Sequence, residues 1–540
     1  MTTENNMKKT KNGILYEKNG WKYVSIWGEP KERGHANGFL LADEFKKIQE
    51  MLNFTIYNDF GIKWDFFIEA AKNHLKDTIK KSFQEFYEEM EGMAEGCNEA
   101  GVKTSVDEII AWNNFYTLTG SWFANSEEGK SLGASAGREG GGAQDRCSAF
   151  IAVGDYTKDG KFVLAHNSFC TFIDGQYANV ILDVNPTKGN RILMQSCACW
   201  IWSGMDFYVT SAGIVCTETT IGGFFPYENN FTVACRIRKA MQYAKTLDEC
   251  DEMLWEGNSG DYANSWLFGD INTNEIMRIE LGLKYKNVEK TKNGYFIGFN
   301  APYDPRIRCL ECHNTGYDDL RRHQGARKVR LADLMDESKG KLDANLAMKY
   351  IADHYDAYLQ KENNPCSRTV CSHYELDARK YMSDPSRPKP FAPRGAVDGI
   401  VADSEMVKNM SFMARWGSSC GTPFIVEEFI KKNRIWEEQK PYLHNRPTQP
   451  WTLFTVYKES GEEKKHGKNF GKKYRTRGRK AKVGKKTRKS ISKQVDAEEN
   501  NAEVVEETTS TDSSVTEDKP AEVVEQVVNR DELIENVAKE

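Results

Sequence analysis

The sequence predicts an α+β chain in which two antiparallel sheets pack together and are covered by helices. Three observations carry that expectation: helical spacing through the first third, a switch to period-two hairpins from Cys147 onward, and one amphipathic helical stretch set among the hairpins.

In the first third, Ala42 to Leu52 and Lys63 to Met93 place apolar residues three and four apart, with Phe66, Phe67, Ala70 and Ala71 opening one face. Ser105 is followed three residues later by Glu108 and then by Ile109, Ile110 and Trp112, a capping box that starts a helix. Residues 1–125 are therefore expected as a helical N-terminal region. Residues 126–146 are glycine-rich and almost free of apolar side chains, a loop longer than most connections. Beyond it, CSAFIAVG and FVLAH flank a turn at Asp159-Gly160. ANVILDV and RILMQS flank Asn185 to Asn190, and FYVTS and IVCTETT flank Ala212-Gly213. A helix is expected from Thr232 to about Trp255, then a hairpin with arms SWLFGD and EIMRIEL, then the strand GYFIGFN. Helix returns from about Gly316 to Tyr381, and the last strand lies at Thr452 to Tyr457. Residues 147–457 thus form the expected core domain, and 458–540 a disordered tail.

Charge supports that division. The 540 residues carry 74 Lys plus Arg and 79 Asp plus Glu, a formal charge of −5. Lys464 to Lys493 holds 15 basic residues and no acidic one, and Asp496 to Glu540 holds 15 acidic and three basic. The first 463 residues carry −8, with nearly all the aromatic side chains. The basic block is expected either to touch polyanions nonspecifically or to be a solvated tail. No run approaches ~18 apolar residues, so no membrane span is expected. Lys8, Lys9 and Lys11 have no apolar run behind them, so no secretory signal is expected. Thirteen cysteines without such a signal read as reduced thiols, which favours a cytoplasmic, nuclear or particle-associated setting over a secreted or lysosomal one.

Cys147 is the first candidate for chemistry. It opens a strand immediately after the glycine-rich loop, where cutting the Arg146–Cys147 bond would make it a new N-terminus. A free α-amine has a pKa of about 7.7 to 8.0, so part of it is unprotonated at neutral pH, and one residue would supply both nucleophile and base. The competing reading is an inert strand thiol. Cys309-Leu310-Glu311-Cys312-His313 spells a haem c attachment string, set aside because attachment needs export. Cys309, Cys312, Cys366 and Cys371, with His313 and His373, have the side chains for a zinc site, but the halves are far apart in sequence, and ordinary loop and core thiols are the default. Cys197 and Cys199 are expected to alternate on a strand as packing residues. No metal or organic cofactor is expected.

CSAFIAVGDYTKDGKFVLAHNSF, SGMDFYVTSAGIVCTETTI and NSGDYANSWLFGD resemble the phospholipase B-like proteins, members of the N-terminal nucleophile (Ntn) hydrolases. With GEPKERGHANG at Gly28 to Gly38, they are also similar to penicillin acyltransferase-type autoproteolytic acyltransferases. The resemblance covers roughly Gly28 to Tyr457 and is strongest from Cys147 to Asp270. It implies an αββα sandwich that cleaves itself before Cys147 and then acts on acyl esters or amides of lipids or small molecules through an acyl-enzyme. It implies Asn264 as the oxyanion donor and His166 as a residue facing the nucleophile, with Glu218, Thr219 and Thr220 at the site rim. Bile-acid and penicillin-type relatives carry an Asp where Ser168 and Phe169 stand, which favours the phospholipase B-like branch. The alternatives are an acyltransferase with an amine acceptor and an inactive scaffold that binds polyanions through its tail.

Overall fold

The computed structural model describes residues 7–134, 146–378 and 390–458. Most of the glycine-rich loop and the whole charged tail, with its expected polyanion contact, lie outside the described residues. The strands are, in chain order, β1 (Lys8–Thr10), β2 (Gly13–Lys18), β3 (Trp21–Gly28), β4 (Cys147–Gly154), β5 (Gly160–Thr171) and β6 (Val180–Pro186). Then come β7 (Ile192–Ser196), β8 (Phe207–Thr210), β9 (Ile214–Thr220), β10 (Asn264–Asp270), β11 (Glu275–Leu281) and β12 (Lys286–Thr291). The last are β13 (Gly294–Gly298), β14 (Arg394–Ala396), β15 (Asp398–Asp403), β16 (Ser411–Trp416) and β17 (Thr452–Thr455).

One sheet runs β1-β2-β3-β6-β7-β8-β9-β10-β11-β12, and the other β13-β4-β5-β15-β16-β17 with β14 on β5. All pairings are antiparallel except β3 with β6. Ala149, Ile151 and Val153 alternate into a core between the sheets with Leu193, Val209, Val215 and Leu267. Phe150 and Ala152 face the other way, onto the helices His323–Glu337 and Ala344–Tyr350. The ten-stranded sheet turns Met194, Cys216 and Trp266 toward the N-terminal helices. The layers are therefore helix, sheet, sheet, helix, the expected α+β sandwich.

The N-terminal layer is built on a close crossing of helices Pro30–Phe60 and Gln84–Glu99. A Cβ on Gly34 or Gly38 would overlap the carbonyls of Glu89 or Met93, and one on Gly92 or Gly96 those of Lys31 or His35. Arg33, Glu89 and Arg238 are buried together beside this crossing, with Arg33 Nη2 at 2.7 Å and Arg238 Nη2 at 3.0 Å from Glu89 Oε2. The carboxylate offsets two desolvated cations at once.

Three expectations need correction. Residues 8–28 are strands, not part of a helical region. Asn19 and Gly20 both take positive φ, a two-residue hairpin turn, so the Asn-Gly pair between β2 and β3 is the signal that marks them. The stretch expected as one helix from Thr232 divides into Val233–Tyr243 and Leu247–Trp255, because Ala244 is extended and the Thr246 hydroxyl caps the second helix on the Glu249 N–H. Within residues 316–381, the described residues after Tyr350 hold only a short 3-10 turn, Tyr374–Leu376, with Gln360 and Asn363 in the left-handed region ahead of Pro365.

Candidate active site

β4 begins at Cys147, which pairs with Ser168 across β5. The alternation that sends Ala149 and Ile151 between the sheets points the Cys147 side chain the same way, and it is 1% exposed. Its backbone N–H donates to Asn300 Oδ1 at 3.3 Å. The Asn300 amide is locked in that sense: Nδ2 donates to Thr220 O at 2.7 Å, and the Arg327 guanidinium donates to Oδ1 at 2.7 Å. The same guanidinium donates to Cys147 O at 2.5 Å and Ser148 Oγ at 3.1 Å. Arg327 thus holds the first peptide of β4 from the helical layer. On the other side of the bond, the Phe169 N–H donates to Arg146 O, and the Arg146 guanidinium lies 4.1 Å from the Tyr116 ring centroid.

The thiol faces two carboxyl groups. Cys147 Sγ, an oxygen of Asp206 and an oxygen of Glu218 all lie within 4.8 Å of one another. Burial pushes the Cys147 thiol well above its usual range, with the Glu218 and Asp206 charges adding to it. Burial and then Asp206 likewise push the Glu218 carboxyl well up, and burial takes Asp206 to about 7. Two buried carboxyls this close hold a proton between them at neutral pH. Tyr262 Oη sits 3.5 Å from Asp206 Oδ2 and accepts from Thr220 Oγ1 at 2.8 Å. Asp206 itself has φ +67, a backbone conformation that is costly for a residue other than glycine.

Asn264 heads β10, directly opposite Thr220 of β9. Oriented with its nitrogen toward acceptors, its amide donates to Glu218 Oε2 and to Ala263 O, each at 2.8 Å. Asn264 is thus linked to the Cys147 cluster through Glu218. Glu218, Thr220 and Asn264 share one face of the sheet. Thr219 belongs to the other face, where its side chain closes over Gly298. His166 pairs with Ala149, one position beyond Cys147 on the same face of the ladder. Neither ring nitrogen makes a well-formed hydrogen bond, and burial drops its pKa to about 3, with the Glu218 main chain opposing the drop. It is a neutral imidazole in the wall.

Asp206, Tyr262, Asn300 and Arg327 went unnoticed in the sequence. Asp206 is the fourth residue of SGMDFYVTSAGIVCTETTI, Tyr262 lies inside NSGDYANSWLFGD and Asn300 closes GYFIGFN; Arg327 lies in a helix with no local signal of its role. The six residues weighed for zinc are not gathered as a set. Cys371 and His373 lie together with His354 and Cys420, whereas Cys309, Cys312, His313 and Cys366 belong to no such group among the described residues. Cys197 and Cys199 follow the end of β7 instead of alternating along it; Cys199 takes φ +60, and its Sγ lies 3.5 Å from that of Cys97.

The model of the family described as Phospholipase B matches residues 39–454. This chain belongs to the phospholipase B family. Phospholipase B-like 1 of Bos taurus is 24% identical over 330 residues, 55% of this chain and 57% of that protein. Putative phospholipase B-like 3 of Caenorhabditis elegans is 26% identical over 330 residues, 53% of this chain and 55% of that protein. An uncharacterized protein of Archaeoglobus fulgidus is 21% identical over 245 residues, 44% of this chain and 39% of its own length. The chain thus spans about two-fifths to three-fifths of the length of these relatives. Among solved structures, a mutant of the conjugated bile acid hydrolase of Clostridium perfringens gives a TM-score of 0.29 at 9% identity, covering 50% of this chain and 89% of that one. No helix among the described residues is long and apolar enough to cross a membrane.

Proposed function

We propose that the chain is a self-cleaving N-terminal cysteine hydrolase of acyl esters or amides, with phospholipids as the leading substrate class. The observation that carries this reading is the hydrogen bond from the Cys147 N–H to Asn300 Oδ1, next to a thiol in a carboxyl-lined site. Membership of the phospholipase B family supports hydrolysis as the chemistry.

In the first stage, Cys147 Sγ attacks the Arg146 carbonyl carbon, whose oxygen already accepts the Phe169 N–H. As the C–N bond breaks to leave a thioester, the thiol proton passes to the departing nitrogen, which becomes the Cys147 α-amine, and water then cleaves the thioester to the Arg146 carboxylate and the free Cys147 thiol. In the second stage, that amine takes the thiol proton, and the thiolate attacks the substrate acyl carbon. Asn300 Oδ1 accepts from the amine and keeps its lone pair toward Sγ. The protonated member of the Glu218–Asp206 pair faces the thiolate as a donor rather than as a second anion. For the oxyanion, Asn264 turns one N–H from Glu218 to the developing charge, a donor worth about 3 to 4 kcal/mol in the transition state. The leaving group takes the proton from the amine, and water resolves the acyl-enzyme.

Brief incubation with an excess of acyl substrate followed by acid quench tests this reading. The expected adduct is one acyl group on the peptide beginning at Cys147, labile to hydroxylamine as a thioester is. Turnover of acyl substrates with no adduct on that peptide, or turnover retained by Cys147→Ala, contradicts it.

A further inference from the structure

Away from the nucleophile, two histidines and two cysteines from three separate loops converge. His354 follows the Ala344–Tyr350 helix, Cys371 and His373 lie in the irregular chain before β14, and Cys420 follows β16. Their ligand atoms all lie within 4.8 Å of one another. His354 Nε2 is 3.2 Å from His373 Nε2, and the sulfurs of Cys371 and Cys420 are each 3.4 Å from that same nitrogen. A tetrahedral zinc with bonds of about 2.0 to 2.1 Å to nitrogen and about 2.3 Å to sulfur places its ligands about 3.3 Å apart for two nitrogens and about 3.6 Å for a nitrogen and a sulfur. The observed spacings lie within about 0.2 Å of that tetrahedron.

The surroundings fit a metal as well. His373 Nδ1 is 2.7 Å from Glu375 Oε1, so the Nδ1–H donates to the carboxylate, the arrangement that presents the Nε2 lone pair to a metal in the cluster. The Thr422 N–H donates to Cys420 Sγ at 3.4 Å, the contact that steadies a thiolate ligand. Cys371 and His373 are buried, while His354 and Cys420 are partly exposed, which leaves a way in for the ion. We infer that His354, Cys371, His373 and Cys420 form a closed Cys2His2 site for a structural zinc ion. On binding, each thiol loses its proton to solvent as its S–Zn bond forms, and no electron is transferred.

The site does not rest on the proposed acyl chemistry, but it lies close to the strand that bears the nucleophile. Val370 O accepts Ser148 Oγ at 3.1 Å, and Ser419 Oγ accepts Asn167 Nδ2 at 2.9 Å. Residues next to two of the ligands therefore brace the start of β4 and the part of β5 paired with it, and zinc would fix both loops relative to Cys147.

The test uses the full chain purified without chelator. Elemental analysis should give one zinc per chain, and replacement by Co2+ alone should give the d–d absorption of a tetrahedral site with a thiolate charge-transfer band. Cys420→Ser and His354→Ala should lose most of the metal while remaining monodisperse, whereas Cys309→Ser should retain it. X-ray absorption of the wild-type zinc should fit two sulfur and two nitrogen ligands, an answer that holds even if a variant misfolds. Protein with less than a tenth of an equivalent of zinc and no cobalt spectrum overturns the inference. So does intact mass showing Cys371 and Cys420 joined as a disulfide, or zinc lost from Cys309→Ser instead.

Discussion

Asn300 Oδ1 accepts the Cys147 backbone N–H at 3.3 Å, and that nitrogen is the atom that the proposed scission of the preceding bond would turn into an α-amine. The contact exists because Asn300, at φ +70 beyond the end of β13, is held by Thr220 O and Arg327. Asn300→Ala should slow acyl-enzyme formation about 10- to 100-fold, the worth of one buried orienting hydrogen bond. Asn300→Asp places an anion beside the amine and raises its pKa. The proposed mechanism uses the unprotonated amine as base, so the rising limb of the pH–rate profile should move to higher pH. Profiles that superimpose would remove Asn300 from the mechanism.

Cleavage before Cys147 should leave one particle. β3 pairs in parallel with β6 over Lys22 to Gly28, and Trp21 and Tyr23 are buried in the core between the sheets. The N-terminal fragment therefore contributes the three strands at one end of the ten-stranded sheet, β1, β2 and β3, with β3 paired to β6 of the other fragment. Two bands on a denaturing gel should co-elute as one species in size exclusion, and separation without denaturant would show that the β3–β6 pairing is wrong.

The buried Glu218–Asp206 pair sets a pH dependence of stability. Both carboxyls have folded-state pKa values above their ordinary ones, with Asp206 near 7. The folded chain then binds more protons than the unfolded one, so the pair's contribution is intact below about pH 4 and is lost as pH rises through about 7. In a Cys147→Ala background, which stays uncut, urea midpoints should fall from this source over that interval. Adding Asp206→Asn should flatten the fall, and parallel curves would refute the assignment.

Glu89→Ala should destabilise the chain by about 3 to 5 kcal/mol, because Arg238 would lose its buried carboxylate partner and Arg33 would be left with Glu85 alone. Denaturant unfolding at constant pH measures this. A change below about 1 kcal/mol would mean that water reaches the cluster.

The hairpin arms from Cys147 to Leu281 were legible because period-two alternation and turn residues are local signals. The β2–β3 hairpin carried such a signal in Asn19-Gly20, but the helical spacing just downstream overshadowed it. The site was readable only in part. Cys147, Glu218 and Asn264 stand at strand ends inside recognisable motifs. Arg327 acts across 180 residues, and the two faces of β9 divide Thr219 from Thr220 by alternation alone. The metal cluster was half visible: Cys371 and His373 were in view, but partners 17 residues before Cys371 and 47 residues after His373 come from loops whose meeting only the fold decides.

N-terminal sequencing and intact mass of the purified chain decide whether Cys147 becomes an N-terminus. Self-cleavage predicts a fragment beginning Cys147-Ser148-Ala149 in the parent and a single uncut chain in Cys147→Ala. An intact parent that nonetheless hydrolyses acyl substrates, or a Cys147→Ala protein cut at the same bond, would contradict it.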